Sequence, residues 1–181
     1  MSVAEVTRLT PDDLLALPDD GRTYELVDGE LLELQISGES SWIAGQILVR
    51  LNPFITPMKR GWLFSVDAGF RCFPDAPDMV RKPDVAFVSR ERLPVVSPTG
   101  YIQVAPNLAV EVISPHDVAY EIEAKVQMWL EAGCEIVWTV MPRSRTVTVH
   151  QQTQGPVILT ANQTLAHPEL LPGFECLVSD I

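Results

Sequence analysis

Residues 108–114, LAVEVIS, are apolar on both faces and hold one acid, Glu111. A short run with no polar side reads as a strand buried from both directions, which requires layers above and below it. The run that follows has helical spacing from about Asp117 to Ala132 and is closed by Gly133 at the position after the helix end. EIVWTVM comes next and pairs with TVTVHQQ around the turn Pro142-Arg143-Ser144. A buried strand, a helix and a further strand in this order predict a mixed α/β domain on one central sheet.

The rest of the chain fits that frame. Thr10 before Pro11, Asp12 and Asp13 has the cap, first-turn proline and early acids of a helix start, with an end expected near Leu17-Pro18. TYELV and ELLELQI flank Asp28-Gly29, a two-residue hairpin signal. Residues 41–51 read as a helix running to Asn52-Pro53 or slightly beyond. WLFSVDAGFRCF reads as a strand with a break at Gly69, and PDVAFVS as another strand. Residues 93–106 carry Pro94, Pro98, Gly100 and Pro106 and read as a loop, and the stretch to Ile181 as a short strand or two with a loop-rich end.

The 181 residues suit one domain spanning 1–181, with 46% hydrophobic and 20% charged residues, as in a packed globule. Cys72, Cys134 and Cys176 are far apart and show no metal-ligand spacing, so free thiols in a reducing cytosol are expected. No stretch approaches the length of a membrane span, and the N-terminus lacks an apolar leader core. A soluble cytoplasmic protein is the expectation. The net charge of −11 speaks against general nucleic-acid affinity. Residues 50–92, however, hold eight Lys or Arg against five acids, so either a local basic patch near Asp84 or a solvated mixed surface fits.

Two acids and one lysine stand in apolar surroundings. In PDVAFVS, alternation puts Asp84 on a face with Ala86 and Val88; in LAVEVIS, Glu111 shares its face with Ala109 and Ile113. On neighbouring strands the two carboxylates could converge on one hard cation such as Mg²⁺. Each could equally be a solvated or capping acid at a strand end. The helical stripe Val118, Ile122, Lys125, Trp129, Ala132 places Lys125 toward the core. There it meets buried carboxylates, or it pairs on the surface with Glu121 four residues earlier. His116, His150 and His167 show no ligand spacing and read as ordinary surface or loop histidines. Trp42, Trp62, Trp129 and Trp138 read as core.

The segments KPDVAFVS, APNLAVEVISPHD and KVQMWLEAGCEIVWTVMP resemble the Uma-type putative restriction endonuclease family, of the PD-(D/E)XK nuclease superfamily. LTPDDLLALPDD, TYELVDGELLEL and LPGFECLVSDI extend the resemblance over nearly the whole chain. It implies a restriction-endonuclease-like fold, a central mixed β-sheet flanked by helices, and a divalent-metal-dependent DNA endonuclease using Mg²⁺ or Mn²⁺. Asp84 then corresponds to the first acid and metal ligand, and Glu111 to the second. Ile113 stands where the superfamily usually has a lysine, and Lys125 on the following helix takes its place. Glu25 matches a further family acid that would face the same site, or else is an exposed hairpin residue. Asp117 keeps its family place after Ser114-Pro115. The chain has no histidine between Ser37 and Gln46, where family members carry one, and Trp129 replaces a usual tyrosine. A catalytically degenerate nuclease-fold protein used for binding or assembly is the alternative. A homodimer is compatible with both.

Overall fold

A computed structural model describes residues 8–115 and 117–181. Helix α1 (Pro11–Leu15) opens on a reciprocal cap: the Asp13 amide donates to the Thr10 hydroxyl, and the Asp13 carboxylate accepts from the Thr10 amide at 2.8 Å. It ends one to two residues before Leu17, because Pro18 disfavours helical backbone at the residue preceding it. Strands β1 (Tyr24–Val27) and β2 (Glu30–Glu33) pair antiparallel through Asp28 and Gly29, whose φ values of 51° and 80° suit a primed hairpin turn.

Helix α2 (Gly38–Ile55) starts three residues before the expected Ser41. Ser37 and Ser40 cap it reciprocally, each hydroxyl accepting the other's amide. It continues through Pro53, which costs one backbone hydrogen bond. Strand β3 (Gly61–Ser65) then stops at Ser65, short of the expected Phe73. The chain turns as the Ala68 amide donates to the Ser65 carbonyl, and Phe70 instead forms single bridges to Arg81 and Ile102.

Strand β4 (Val85–Ser89), a loop and strand β5 (Leu108–Val112) follow, then helix α3 (Ala119–Glu131) and strand β6 (Ile136–Met141). The chain continues through β7 (Thr146–Gln151), β8 (Val157–Thr160), β9 (Thr164–Ala166) and β10 (Glu175–Leu177) to a short 3₁₀ turn, Val178–Asp180. The end of the chain thus holds three short strands, with β9 and β10 pairing apart from the main sheet.

That main sheet has six strands in the order β3-β4-β5-β6-β7-β8. Only β5 and β6 run parallel, with α3 as the crossover that such a pair requires. All five residues of β5 are buried, as its two apolar faces predict. On one face, Ile43, Ile47, Leu51 and Ile55 of α2 pack on Val85, Phe87, Val110 and Val112. On the other, Val126, Trp129 and Leu130 of α3 pack on Ala86, Val88 and Ala109. Burial of each large apolar side chain contributes roughly 1.5–3 kcal/mol, so the two helices clamp the strand ends between them.

Two expectations need correction. Trp42 is 61% exposed on α2 and Trp62 is half-buried beneath Arg90 outside both core clusters, so neither belongs to the core. Val118 is not part of the buried stripe but the residue before α3, where the chain is still extended and open to solvent. The three cysteines are free thiols. Among the described residues, no helix is long and apolar enough to cross a membrane.

Candidate active site

The sheet register brings the two acids face to face. Val85 pairs with Val110 across β4 and β5, and one step outward in the same antiparallel register sets Asp84 opposite Glu111. Directly opposed like charges repel, so this pairing needs compensation. One Asp84 oxygen, Oδ2, accepts the Val112 amide at 2.7 Å, which ties the acid to the end of β5.

Helix α3 supplies the compensation. Lys125 and Trp129 lie four residues apart and so share one helix face. Lys125 Nζ is 2.8 Å from Glu111 Oε2, and Trp129 Nε1 donates to Glu111 Oε1 at 2.8 Å. Both oxygens of the buried glutamate are therefore engaged by a single helix. The bland surface pair with Glu121 is not formed, and Glu121 is exposed. Ahead of the helix, Asp117 Oδ2 accepts the Ser114 amide at 2.7 Å and so holds the turn leaving β5.

Glu25 arrives from outside the main sheet. Leu26 of β1 exchanges two backbone hydrogen bonds of 2.9 Å with Val80, which docks the hairpin beside the start of β4. Glu25, only 2% exposed, then accepts from Arg81 Nη1 at 2.8 Å and from the Lys82 amide at 2.7 Å. Its Oε1 also lies 3.3 Å from Lys125 Nζ, so the one ammonium bridges Glu25 and Glu111. The exposed-hairpin reading of Glu25 is thereby excluded. Glu25, Asp84, Glu111, Lys125, Arg81 and Lys82 all line one cavity of about 590 Å³.

The ionisation of these groups follows from their neighbours. Burial pushes Glu111 up to about 7 against the attraction of Lys125, and Asp84 and Glu25 add smaller repulsions. Burial likewise raises Asp84, against the Val112 hydrogen bond and Lys125. Burial would raise Glu25 too, but Lys125 and Arg81 outweigh it and hold that carboxyl below its ordinary value. For Lys125 burial acts downward, yet Glu111 and Glu25 prevail and keep it firmly protonated.

The other sequence candidates lie elsewhere. His150 bonds Thr139 at 3.0 Å and His167 bonds Gln151 at 2.9 Å, and neither lines the cavity. His116 lies outside the described residues. Most of the basic residues of 50–92 do not gather here: Arg71 pairs with Asp78, Arg92 with Glu135, and Arg90 lies over the Trp62 ring. Only Arg81 and Lys82 reach the cavity. Sequence reasoning missed Arg81 and the indole of Trp129 as partners of the acids. A sequence signal existed for the first, since Arg81 and Lys82 stand immediately before Pro83-Asp84.

Among the described residues, no three His, Cys, Asp or Glu side chains form a ready metal cluster. Asp84 and Glu111 instead offer two carboxylates side by side, a donor set that suits a hard cation completing its shell with water. Such a cation would also offset the burial that raises both acids.

The family model described as Uma2, Putative restriction endonuclease, matches residues 11–179. No curated protein matches the chain. Among solved structures, the crystal structure of a putative nuclease belonging to DUF820 from Anabaena variabilis has a TM-score of 0.79 to this chain. The match covers 95% of this chain and 96% of that one at 20% identity, a likeness of fold.

Proposed function

The chain belongs to the Uma2 family, described as Putative restriction endonuclease, and from that premise we propose that it is a divalent-metal-dependent nuclease hydrolysing DNA phosphodiester bonds. The observation that carries the reading is the bridge from Lys125 to Glu111 at 2.8 Å and Glu25 at 3.3 Å, beside Asp84 in one cavity. Asp84 and Glu111 would hold Mg²⁺ or Mn²⁺. When bound, the ion acidifies a water and offsets charge on the phosphate.

The protein's own groups do the rest. Asp84 is oriented by the Val112 amide, and Glu111 by Lys125 and Trp129, so both carboxylates are set before substrate arrives. Water oxygen bonds to phosphorus and gives up one proton to solvent, one bridging P–O bond breaks, and the departing oxygen takes a proton from solvent. Lys125 stays protonated and donates toward the phosphate oxygens as charge builds on them. Glu25, itself fixed by Arg81, also holds that ammonium in place.

Incubation of the purified protein with supercoiled and linear DNA in Mg²⁺ or Mn²⁺ tests the reading. Nicking or cutting is expected, with a loss of at least about a hundredfold in Asp84→Ala and Glu111→Ala. Cleavage unchanged in both variants overturns it. A second reading, a nuclease-fold binding or assembly protein without catalysis, is favoured by the full engagement of Glu111, whose two oxygens already have donors. Calorimetric titration with millimolar Mn²⁺ separates the two, because only the nuclease reading requires heat that disappears in Asp84→Ala.

A further inference from the structure

A second cavity, of about 410 Å³, shares a wall with the first. Alternation along β1 builds the division: Glu25 lines the carboxylate cavity, and its neighbour Tyr24 lines the other. Lys82 lines both. Its amide is held by Glu25 Oε1 at 2.7 Å, while no ion pair among the described residues involves its ammonium. The carboxylates of Asp67, on the wall of the second cavity, and Glu25 act on that ammonium without forming an ion pair with it, so this partly buried cation between two cavities can serve an anion brought by a ligand.

Three aromatic residues, Tyr24, Phe64 and Tyr101, line this second space. Their rings are fixed in advance. The Tyr101 hydroxyl donates to the Pro11 carbonyl at 3.0 Å and the Tyr24 hydroxyl to Asp20 at 2.8 Å. Phe64 meets Phe70 edge-on at 6.0 Å. Gly69 lets Tyr101 lie against the backbone: a Cβ there would stand 2.7 Å from Tyr101 Cδ1. The same glycine marks the region where the expected third strand leaves the sheet. Aromatic walls, a volume within the ~300–1,000 Å³ of small-molecule sites, and an ammonium that forms no ion pair among the described residues, at the mouth of a carboxylate cavity, suit a flat ring joined to a phosphate.

We propose that this second cavity is a nucleoside subsite, in which an unstacked base is received among Tyr24, Phe64 and Tyr101 while Lys82 holds its phosphate. The ligand class rests on the phosphodiester reading above. The adjoining phosphodiester then lies over Asp84 and Glu111. A base inside a duplex cannot enter such a pocket without leaving its stack, so unpaired or mismatched strands are preferred over paired ones.

Isothermal titration of the full-length protein in metal-free buffer tests this, with thymidine 3′- and 5′-monophosphate and the matching base-free 2-deoxyribose phosphates as probes. At least one thymidine nucleotide is expected to bind about tenfold or more tighter than its base-free counterpart. Ser97 lies on the exposed rim, so Ser97→Trp plugs the pocket without touching the core. It should abolish that difference and leave base-free binding unchanged. Lys82→Ala should weaken both kinds of probe by a similar factor. Equal affinity for the two kinds, or a base-dependent gain that survives both Ser97→Trp and Tyr101→Leu, overturns the subsite. The two proposals fail separately. A base-dependent gain without DNA cleavage in Mg²⁺ or Mn²⁺ sinks the nuclease reading and supports the subsite, whereas cleavage without any such gain sinks the subsite alone.

Discussion

Glu25, on the hairpin, and Glu111, in the central strand, are both buried carboxylates facing the ammonium of Lys125, at 3.3 and 2.8 Å. Their ionisation nevertheless moves in opposite directions, Glu25 downward and Glu111 up to about 7. The difference lies in the second oxygen of each. Glu25 has a guanidinium there, from Arg81 at 2.8 Å, while the Lys82 amide adds a donor to the oxygen that faces Lys125. Glu111 has only the neutral indole of Trp129 at 2.8 Å, and it faces the carboxylate of Asp84. Burial raises both acids, and the shared cation outweighs it only where further positive support stands beside the carboxylate. Glu25 fastens the hairpin to the site, while Glu111 stands near neutrality, where proton and cation compete for it.

The comparison breaks most directly at Lys125. Lys125→Met leaves two buried carboxylates without their common partner, and destabilisation of about 3–5 kcal/mol is expected by urea denaturation near pH 8. Glu25 keeps Arg81, so most of the loss should fall on Glu111, and Lys125→Met combined with Glu111→Gln should recover part of it. A cost under about 1 kcal/mol for Lys125→Met would mean that the ammonium does not compensate the pair.

Acidity separates the two glutamates by sign. Glu111 has a folded value of about 7 against 4.5 when unperturbed. The folded state therefore keeps this proton longer, and its contribution to stability falls as pH rises between these values, by at most about 1.4 kcal/mol per pH unit. Asp84 acts in the same direction. Glu25 acts oppositely: its stabilisation is present above its ordinary value and is lost as pH falls through its lowered folded value. Melting temperatures of the metal-free protein from pH 5 to 8 should decline with pH, and more shallowly in Glu111→Gln. An equal slope in the two proteins would remove Glu111 as the cause.

The smallest expected effect concerns the indole. Trp129→Phe keeps an aromatic ring against Phe70 and Phe73 but removes the donor to Glu111. A loss of about 1–3 kcal/mol is expected, with Glu111 shifted further toward its neutral form. Titration of the Glu111 carboxyl by carbon-detected NMR reads that shift. No upward movement would assign the whole cost to packing.

Much of this arrangement was legible along the chain. Asp28-Gly29 named the hairpin because few residues accept two successive positive φ values, and Gly133, at φ 97°, marked the end of α3 for the same reason. Alternation placed Asp84 and Glu111 on matching faces, and helical spacing aimed Lys125 inward. Other features escaped that reading. The start of α2 depended on a serine pair whose bonding is ordinary in many loops, and the end of β3 on the turn that the Ala68 amide closes onto the Ser65 carbonyl. Arg81 is 56 positions from Glu25, and Trp129 is 18 from Glu111, so neither partnership leaves a periodic trace.

Local patterns settled which segments become strands and helices and which charges sit among apolar residues, because periodicity, capping and turn chemistry act over a few residues. Packing settled everything that joins distant segments. The β4-β5 register set Asp84 against Glu111, the Leu26–Val80 bridge brought Glu25 within reach of Lys125, and a shared lysine came to stand between two cavities. Those contacts gain free energy only once the sheet has closed and water has left, and so each carboxylate's charge is a property of the assembled fold.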